Sequence, residues 1–286
     1  MRHFFPRIIA IFIIALTSFL FVVSSNAQEE SRESEVPKEE KPVKKELGRW
    51  WLKNARTYNP LPKQWLFHVQ GEGGFTRSTG NMGGHTILGG AILVVRKSVF
   101  TNYADYKVYR QKIELTDGNS VVFEIQSFED AFRIDLTSKI SGLIGFMWDK
   151  DETKYLTHRY IYSVGMMFQL MDNSKHKLST MGAYGSQNEE FEHDSLVSHD
   201  TGILYLSDNY TGIITKSLAL EQEAQLFLDM SDSDFYRYIF KIGLDYKLNR
   251  QLSIVPQLSV EYNSEPAFEE SKKSDVMQRI NIRFSF

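Results

Sequence analysis

The sequence contains no cysteine. This absence excludes disulfide bonds, thiolate metal ligands, cysteine nucleophiles and a lipid carried on an N-terminal cysteine. An excess of one charge is also missing, since the net charge is −3 and the pI is near 6.2, so the composition gives no sign of a nucleic-acid partner. Beyond residue 64 no segment shows a helical apolar stripe. What the chain does have is 14 Tyr and 20 Phe, which favour strands over helices.

Residues 1–27 have the layout of a cleaved secretory signal peptide. A basic start with Arg2 and Arg7 leads into the apolar residues 8–23, and the small residue Ala27 ends the expected cleavage site. An uncleaved membrane anchor is the alternative, although the apolar run is short for a spanning helix of about 20 residues.

The segment that follows, residues 28–63, is predicted to be a charged, proline-containing periplasmic extension. Its first part, residues 28–47, consists almost wholly of Glu, Lys, Arg, Ser and Pro and cannot bury a core, which predicts a solvated tether. A partner-binding tail is the alternative. Trp50, Trp51 and Trp65 then surround two prolines, a pattern that predicts a short interfacial or plug-like segment before the main domain at residues 64–286.

From Trp65 onward the hydrophobic period is two, which indicates strands. The last segment is the clearest, because Ile280, Ile282, Phe284 and Phe286 alternate with Arg279, Asn281, Arg283 and Ser285. We count twelve such runs, of which the third, fourth and eighth are poorly patterned, so ten and fourteen strands are the alternatives. The runs are 65–76, 84–97, 103–115, 119–129, 131–147, 154–171, 175–186, 201–214, 217–230, 234–248, 251–263 and 275–286.

Three features favour a membrane barrel over a soluble sandwich or a lipocalin-like barrel. Long charged side chains occupy mid-strand positions, and many runs reach the length of about nine to eleven residues that a spanning strand needs. The connections alternate between short ones (172–175, 215–217 and 248–251) and long ones (186–200 and 264–275). Lipid supplies no hydrogen bonds, so a sheet crosses it only when closed. We therefore predict an all-β fold, a transmembrane antiparallel up-and-down β-barrel of twelve strands, with Phe286 at the end of the strand that closes it.

Short motifs also resemble a known family. A C-terminal strand that ends in Phe resembles the assembly signal of Gram-negative outer-membrane proteins, carried here by Ile280, Ile282, Phe284 and Phe286. The stretch VQGEGGFTRSTGN (69–81), with Trp65 before it, resembles the opening of the salt-induced outer-membrane protein family in its spaced glycines and its Thr-Gly-Asn. Residues 182–194 and 260–266 look like later passages of that family, whereas 163–173 depart from its glycine-rich middle strand.

The resemblance implies an outer-membrane barrel of undefined biochemical role and carries over no catalytic residue. It implies a location in the outer membrane of a Gram-negative bacterium. The partners would be outer-membrane lipids, lipopolysaccharide and, during insertion, the barrel-assembly machinery. We expect no cofactor, and the sequence does not indicate the oligomeric state.

One predicted loop contains residue types that occur in catalytic sites. Residues 193–200 bring together two His, two Ser and two Asp residues, which could form a hydrolase relay, and nearby Glu189, Glu190 and Glu192 could bind a divalent cation loosely. No ligand spacing supports a metal site, and we interpret the segment as an acidic loop. His68 and His158 are single residues within strands and are expected to serve packing.

The polar faces of the runs predict the side chains that line the interior. The predicted basic ones are Arg133, Lys139, Arg159, Arg237, Lys241, Lys247, Arg279 and Arg283, and the acidic ones are Glu72, Asp135, Glu221, Glu223, Asp229, Asp245 and Glu261. This near-balance argues against strong ion selectivity. Barrels of about eight strands are filled by side chains and those of about sixteen hold a channel, and twelve lies between. A blocked lumen and a narrow pore are therefore both possible. We expect a structural or envelope-stress-adaptive role without catalysis, with a weakly selective channel for small polar solutes as the alternative and a hydrolase as a third.

Overall fold

The computed structural model describes residues 62–79, 84–114, 120–192, 200–232, 234–266 and 273–285. The predicted signal peptide, the extension up to residue 61 and Phe286 lie outside the described residues.

Twelve antiparallel strands form one closed barrel, in which each strand pairs with the next and the last pairs with the first. The prediction of twelve strands in an up-and-down order is confirmed. The strands are β1 (Leu66–Thr79), β2 (Gly84–Lys97), β3 (Phe100–Glu114), β4 (Ser120–Asp135), β5 (Ile140–Asp151), β6 (Leu156–Asp172), β7 (His176–Phe191), β8 (Thr201–Ile213), β9 (Leu218–Asp229), β10 (Tyr236–Lys247), β11 (Leu252–Asn263) and β12 (Ser274–Ser285).

The seam between β1 and β12 closes the barrel. Its register places Gly71 opposite Phe284 and Gly73 opposite Ile282. Gly74 is required at this seam, because an added Cβ would lie 2.8 Å from the carbonyl oxygen of Ile280. Gly74 therefore lets the backbones of β1 and β12 approach at this point, and the pairing of the two strands satisfies the hydrogen-bonding groups at their edges.

Five connections at one end of the barrel have two to four residues, and we call this end the short-turn rim; it also contains the start of β1 and the end of β12. Side chains shape four of these turns. The Oγ1 atom of Thr137 accepts hydrogen bonds from the backbone N–H groups of Lys139 and Ile140, at 3.1 and 3.0 Å. Asn173, Thr215 and Asn249 accept in the same way from the residues two and three positions ahead.

The opposite end, the long-loop rim, has the longer connections. They include residues 192–200 between β7 and β8, and 264–273 between β11 and β12. Between β5 and β6 the chain makes a 3₁₀ turn at Glu152–Lys154, with Asp151 as its N-cap. Within the described ranges, no helix combines the length and the apolar character that a membrane span would need.

Two predicted boundaries were wrong. The fourth and fifth runs were divided at residue 130, whereas β4 continues to Asp135 and the turn lies at 136–139. A four-residue turn keeps the alternation in phase, because odd-numbered residues face inward on both strands, so the apolar pattern continues through the turn unbroken. Similarly, β7 extends to Phe191, so residues 186–191 are strand and not loop.

The outer surface of the barrel is apolar around its middle. On β6, the outward residues Tyr162, Val164, Met166, Phe168 and Leu170 are 39 to 60% exposed. Contiguous apolar surface of this kind is unusual on a protein that faces water alone.

Aromatic side chains lie toward both ends of this apolar band. Toward the long-loop rim, Phe146 lies 5.1 Å from Tyr162 between ring centroids, and Trp148 donates a hydrogen bond from Nε1 to His158. Toward the short-turn rim, Phe100 stacks on Phe132 at 6.0 Å. Two aromatic levels flanking an apolar band are typical of membrane barrels.

Candidate functional site

Burial separates the inner and outer faces of the strands. On β12, Arg279, Asn281 and Arg283 are at most 9% exposed, whereas the alternating Ile280 and Phe284 are 59% and 47% exposed. The polar face of this amphipathic strand thus lies inside the barrel, and Ile282 lies outside with its two apolar neighbours.

Ion pairs between strands that are not neighbours cross this interior. Arg283 on β12 donates from Nη1 to Glu221 on β9 at 3.1 Å and to Asp245 on β10 at 3.3 Å. It also lies 3.8 Å from Glu72 on β1. Since β12 is hydrogen-bonded only to β1 and β11, the contacts with Glu221 and Asp245 run through the lumen. One arginine therefore connects three other strands of the wall.

A second set of ion pairs crosses the lumen at the long-loop rim. The Nζ atom of Lys154, in the 3₁₀ turn, lies 3.2 Å from Glu261 on β11 and 3.7 Å from Asp275 on β12. Burial lowers the pKa of the Lys154 ammonium, but the negative charges of Glu261, Asp151 and Asp275 outweigh that effect and hold the pKa above its ordinary value. Lys154 is therefore charged throughout the neutral pH range.

Beside Lys154, two arginines share Asp149 of β5. Arg159 lies 3.7 Å from it and also donates from Nε to Glu189 on β7 at 2.6 Å. Arg237 on β10, from the opposite wall, lies 4.0 Å from the same carboxylate. We call Asp149, Lys154, Arg237, Glu261 and Asp275 the rim latch, because these residues join β5 and the turn after it to β10–β12.

At the short-turn rim a buried cluster surrounds Asp135 on β4. Its carboxylate accepts from Arg96 on β2 at 2.9 Å and from the hydroxyl of Ser141 at 2.8 Å, and it lies 3.2 Å from Nε of Arg133. The side chains of Arg96 and Asp135 are 0% and 1% exposed. Charge-assisted hydrogen bonds of this kind are among the strong ones.

The interior is not uniformly polar. Ile161, Ala183, Ile203, Tyr205 and Phe227 form an apolar cluster on the inner face of β6–β9. Tyr205 and Phe227 are register partners whose rings stack at 4.8 Å, and the guanidinium of Arg237 lies 4.3 Å from the Phe227 centroid. This cluster accounts for the weak alternation of the eighth run, because β8 carries apolar residues on both faces.

A cavity of about 300 Å³ remains inside the barrel. Charged residues of both signs line it, among them Glu72, Lys107, Asp149, Lys241, Arg279 and Arg283. Lys241 lies 3.4 Å from Glu223, and Lys107 contacts Asp105 through its ammonium. Most cations of the cavity wall are therefore matched by a carboxylate.

Nearly all of the predicted interior residues lie on the inner face of the barrel and are buried or half-buried. The exception is Lys139, which is exposed in the turn between β4 and β5. Its assignment to the interior was wrong, because the fifth run was read straight through that turn. The other predicted members have inward positions: Glu72, Arg133, Asp135, Arg159, Glu221, Glu223, Asp229, Arg237, Lys241, Asp245, Lys247, Glu261, Arg279 and Arg283.

Several interior charges escaped the sequence reasoning. Arg96 lies on the same face of β2 as the buried apolar residues Ile92 and Val94. The alternation of this strand therefore does not indicate that its inner face carries a charge. Lys154 lies in a turn, where periodicity carries no information. Other charged residues on the inner face that the sequence analysis did not place there are Asp105, Lys107, Glu129, Asp149, Asp151, Lys177, Glu189 and Asp275.

Of the loop that we interpret as acidic, residues 193–199 lie outside the described residues. Of its flanking acids, Glu189 is buried beside Arg159, whereas Glu190 and Glu192 are exposed. In the part of the chain that the structure describes, no group of three His, Asp or Glu side chains is arranged to hold a metal ion. His68 is buried on the inner face of β1, and His158 accepts the hydrogen bond from Trp148.

Comparison with known proteins identifies the family. A family model described as a protein of unknown function, DUF481, matches residues 71–286. The chain belongs to the DUF481 family. The DUF481 match covers the barrel from Gly71 in β1 to the C-terminus and leaves out the segment that precedes it.

Solved structures similar to this DUF481 protein are membrane barrels with low sequence identity. The NanC porin has a TM-score of 0.49 and 11% identity over 77% of this chain and 99% of that one. The outer membrane phospholipase A from Escherichia coli has a TM-score of 0.48 and 9% identity over 75% and 89%. The KdgM porin has a TM-score of 0.44 and 14% identity over 75% and 99%. A search of curated protein sequences gave no significant match.

Proposed function

We propose that this DUF481 protein is a structural barrel of the Gram-negative outer membrane, and that ion pairs across its lumen hold the wall in shape and keep the interior narrow. The observation that carries the proposal is the rim latch. Lys154 and Arg237 reach from one side of the barrel to carboxylates on the other, at 3.2 and 4.0 Å. Side chains engaged in this way stabilise the closed ring and occupy the space that a wide channel would need.

The membrane location is supported by the distribution of polarity. The outward residues of β6 from Tyr162 to Leu170 are apolar and exposed, as are the outward residues of β12 from Ile280 to Phe284. Charged side chains with ion-pair partners lie inside. In the membrane, the apolar band would contact lipid tails, and the long-loop rim would face lipopolysaccharide outside the cell. We expect β12, with its outward Ile280, Ile282 and Phe284, to be the strand that the barrel-assembly machinery recognises.

We attach a narrower role to this proposal, which is adaptation of the envelope to salt stress. The support is the resemblance of residues 69–81 to the salt-induced outer-membrane protein family. A strain that lacks the protein should grow normally in dilute medium and lose barrier function in concentrated salt, measured as uptake of a dye that the intact envelope excludes. Equal dye uptake by the mutant and parent strains in both media would contradict this role.

Conductance in planar lipid bilayers tests the closed lumen. The native chain should give no current steps, whereas the double variant Lys154→Ala/Arg237→Ala should give frequent steps, because it removes two cations of the rim latch. The matched control is Arg110→Ala, which removes an exposed arginine that pairs with Glu124 on the outer face. Regular steps from the native protein would refute the closed lumen.

A narrow, weakly selective channel is the second candidate, and the cavity of about 300 Å³ favours it. Its wall carries both signs of charge, so this reading predicts small native current steps with a reversal potential near zero in a salt gradient. We do not assign a catalytic step to this chain. A hydrolase role would require lipid or peptide hydrolysis by the pure protein that is lost in His193→Ala or His199→Ala.

A further inference from the structure

Arg279 differs from the other lumen arginines whose side chains the structure describes. Arg96, Arg133, Arg159, Arg237 and Arg283 each lie within 4.0 Å of a carboxylate. Arg279 does not. Its Nη1 atom donates to the hydroxyl of Tyr109 at 2.9 Å, and its Nη2 atom donates to the thioether sulfur of Met277 at 3.2 Å.

The surroundings of Arg279 are polar and neutral. The guanidinium carbon lies 4.9 Å from the centroid of the Tyr109 ring, and the Nε atom has no hydrogen-bond acceptor. Gln257 stands opposite Arg279 in the β11–β12 ladder, and Asn281, two residues further along β12, has an Oδ1 atom without a donor. All of these residues line the cavity of about 300 Å³.

The acids of the same cavity are already engaged. Glu72 lies beside Arg283, and Glu261 lies beside Lys154. Arg279 is only 7% exposed, so its positive charge is removed from bulk water without a carboxylate partner among the side chains that the structure describes. A buried cation in this situation favours any anion that can reach it, and the thioether of Met277 is a weak acceptor that a carboxylate would displace readily.

We propose that Arg279 is the binding residue of a lumenal site for a small carboxylate. The carboxylate would accept from the guanidinium edge that now contacts Met277, while Tyr109 holds the opposite edge in place. Gln257 and Asn281 would offer hydrogen bonds to a hydroxyl group on the same molecule. A liquid water molecule takes about 30 Å³, so the cavity has room for a solute of several heavy atoms. The site requires the barrel to be folded but does not depend on whether the lumen conducts.

Ligand-observed NMR titration of the full-length protein in detergent tests this site. The probes are lactate and its neutral analogue lactamide, in buffer free of other carboxylates. Lactate should bind saturably, and lactamide should not. Arg279→Gln should weaken lactate binding by about tenfold or more, because a hydrogen bond to a charged group is lost together with the charge itself. Arg279→Lys, which keeps the charge but not the fork of donors, should fall between the two.

Arg110→Gln is the matched control, since it removes the same charge from the outer face and should bind lactate as the native protein does. Heat-modifiable migration on gels verifies that each variant is folded. Absence of saturable lactate binding to the native protein would overturn the proposal, as would equal binding by native protein and folded Arg279→Gln. Because the titration needs no membrane current, its failure is separate from a failure of the closed-lumen proposal.

Discussion

Asp135 is the residue at which the contribution of a buried lumen ion pair to stability can be tested most directly. It accepts from Arg96 and Ser141 and lies beside Arg133, with almost no exposure to solvent. We predict that Asp135→Ala lowers the free energy of unfolding by about 3–5 kcal/mol, because two buried guanidinium groups lose a common counter-charge. Urea unfolding of the protein in lipid vesicles measures the change.

An ion pair on the outer face provides the comparison for Asp135. Arg110 and Glu124 lie 3.3 Å apart, but the arginine side chain is 73% exposed. Glu124→Ala should therefore cost about 0–1 kcal/mol, as is usual for exposed pairs. Equal losses in Asp135→Ala and Glu124→Ala would show that burial does not strengthen the cluster at the short-turn rim.

Single residues also mark where sequence reasoning about the interior succeeds and where it ends. Arg279 and Arg283 could be placed because each lies in a strand with strict alternation. Lys139 and Lys154 could not, since both lie in turns, where the side-chain direction depends on local hydrogen bonds and not on a period of two. The ion-pair partners are a further step beyond sequence, because Arg283 meets Glu221 only after twelve strands have closed.

At the level of one element, β12 carries the clearest division between lipid and lumen. Ile280 lies midway along the outward face, whereas Val276 lies on the same face close to the long-loop rim. We predict that Ile280→Arg costs about 2–4 kcal/mol and that Val276→Arg costs about 0–1 kcal/mol, because the cost of a basic side chain depends on its depth in the bilayer. The measurement is the urea concentration at half-unfolding in vesicles.

A soluble barrel would give another result for the β12 variants. If the outward face of β12 contacted water, Ile280→Arg would be nearly neutral, and the protein would stay in solution without detergent. That outcome would remove the basis for the membrane location.

The turn between β4 and β5 explains why an element boundary can be invisible in a sequence. The four residues 136–139 preserve the inward parity of Arg133, Asp135 and Ser141. A hydrophobic pattern reports only phase, so it cannot register a turn that leaves the phase unchanged. The signal that was available is chemical, since Thr137 accepts from two backbone N–H groups ahead of it, as Asn173, Thr215 and Asn249 do at the other turns.

For the whole molecule, the enclosure of the ion pairs predicts tolerance to salt. Surface pairs weaken at about 1 M salt, where the screening length falls to about 3 Å, but buried pairs are screened much less. We therefore expect the unfolding free energy of the native barrel to be nearly the same in dilute and concentrated sodium chloride.

Urea titrations at the two salt concentrations test this tolerance. The native protein and Glu124→Ala, which removes the exposed pair, should respond alike. A marked fall in native stability at high salt would mean that water and ions reach the cross-lumen pairs freely.

The apolar cluster on β6–β9 has a consequence for the path through the molecule. This cluster occupies one side of the barrel interior, so the cavity lies off-centre. None of the described residues that line the cavity comes from β7. One part of the barrel interior is thus apolar, whereas the part around the cavity carries many polar and charged side chains. Water or a solute that enters the barrel would therefore pass chiefly along the inner surfaces of β1–β5 and β9–β12, which supply most of the cavity lining. Substitutions on those surfaces should affect its passage more than substitutions on the inner face of β7.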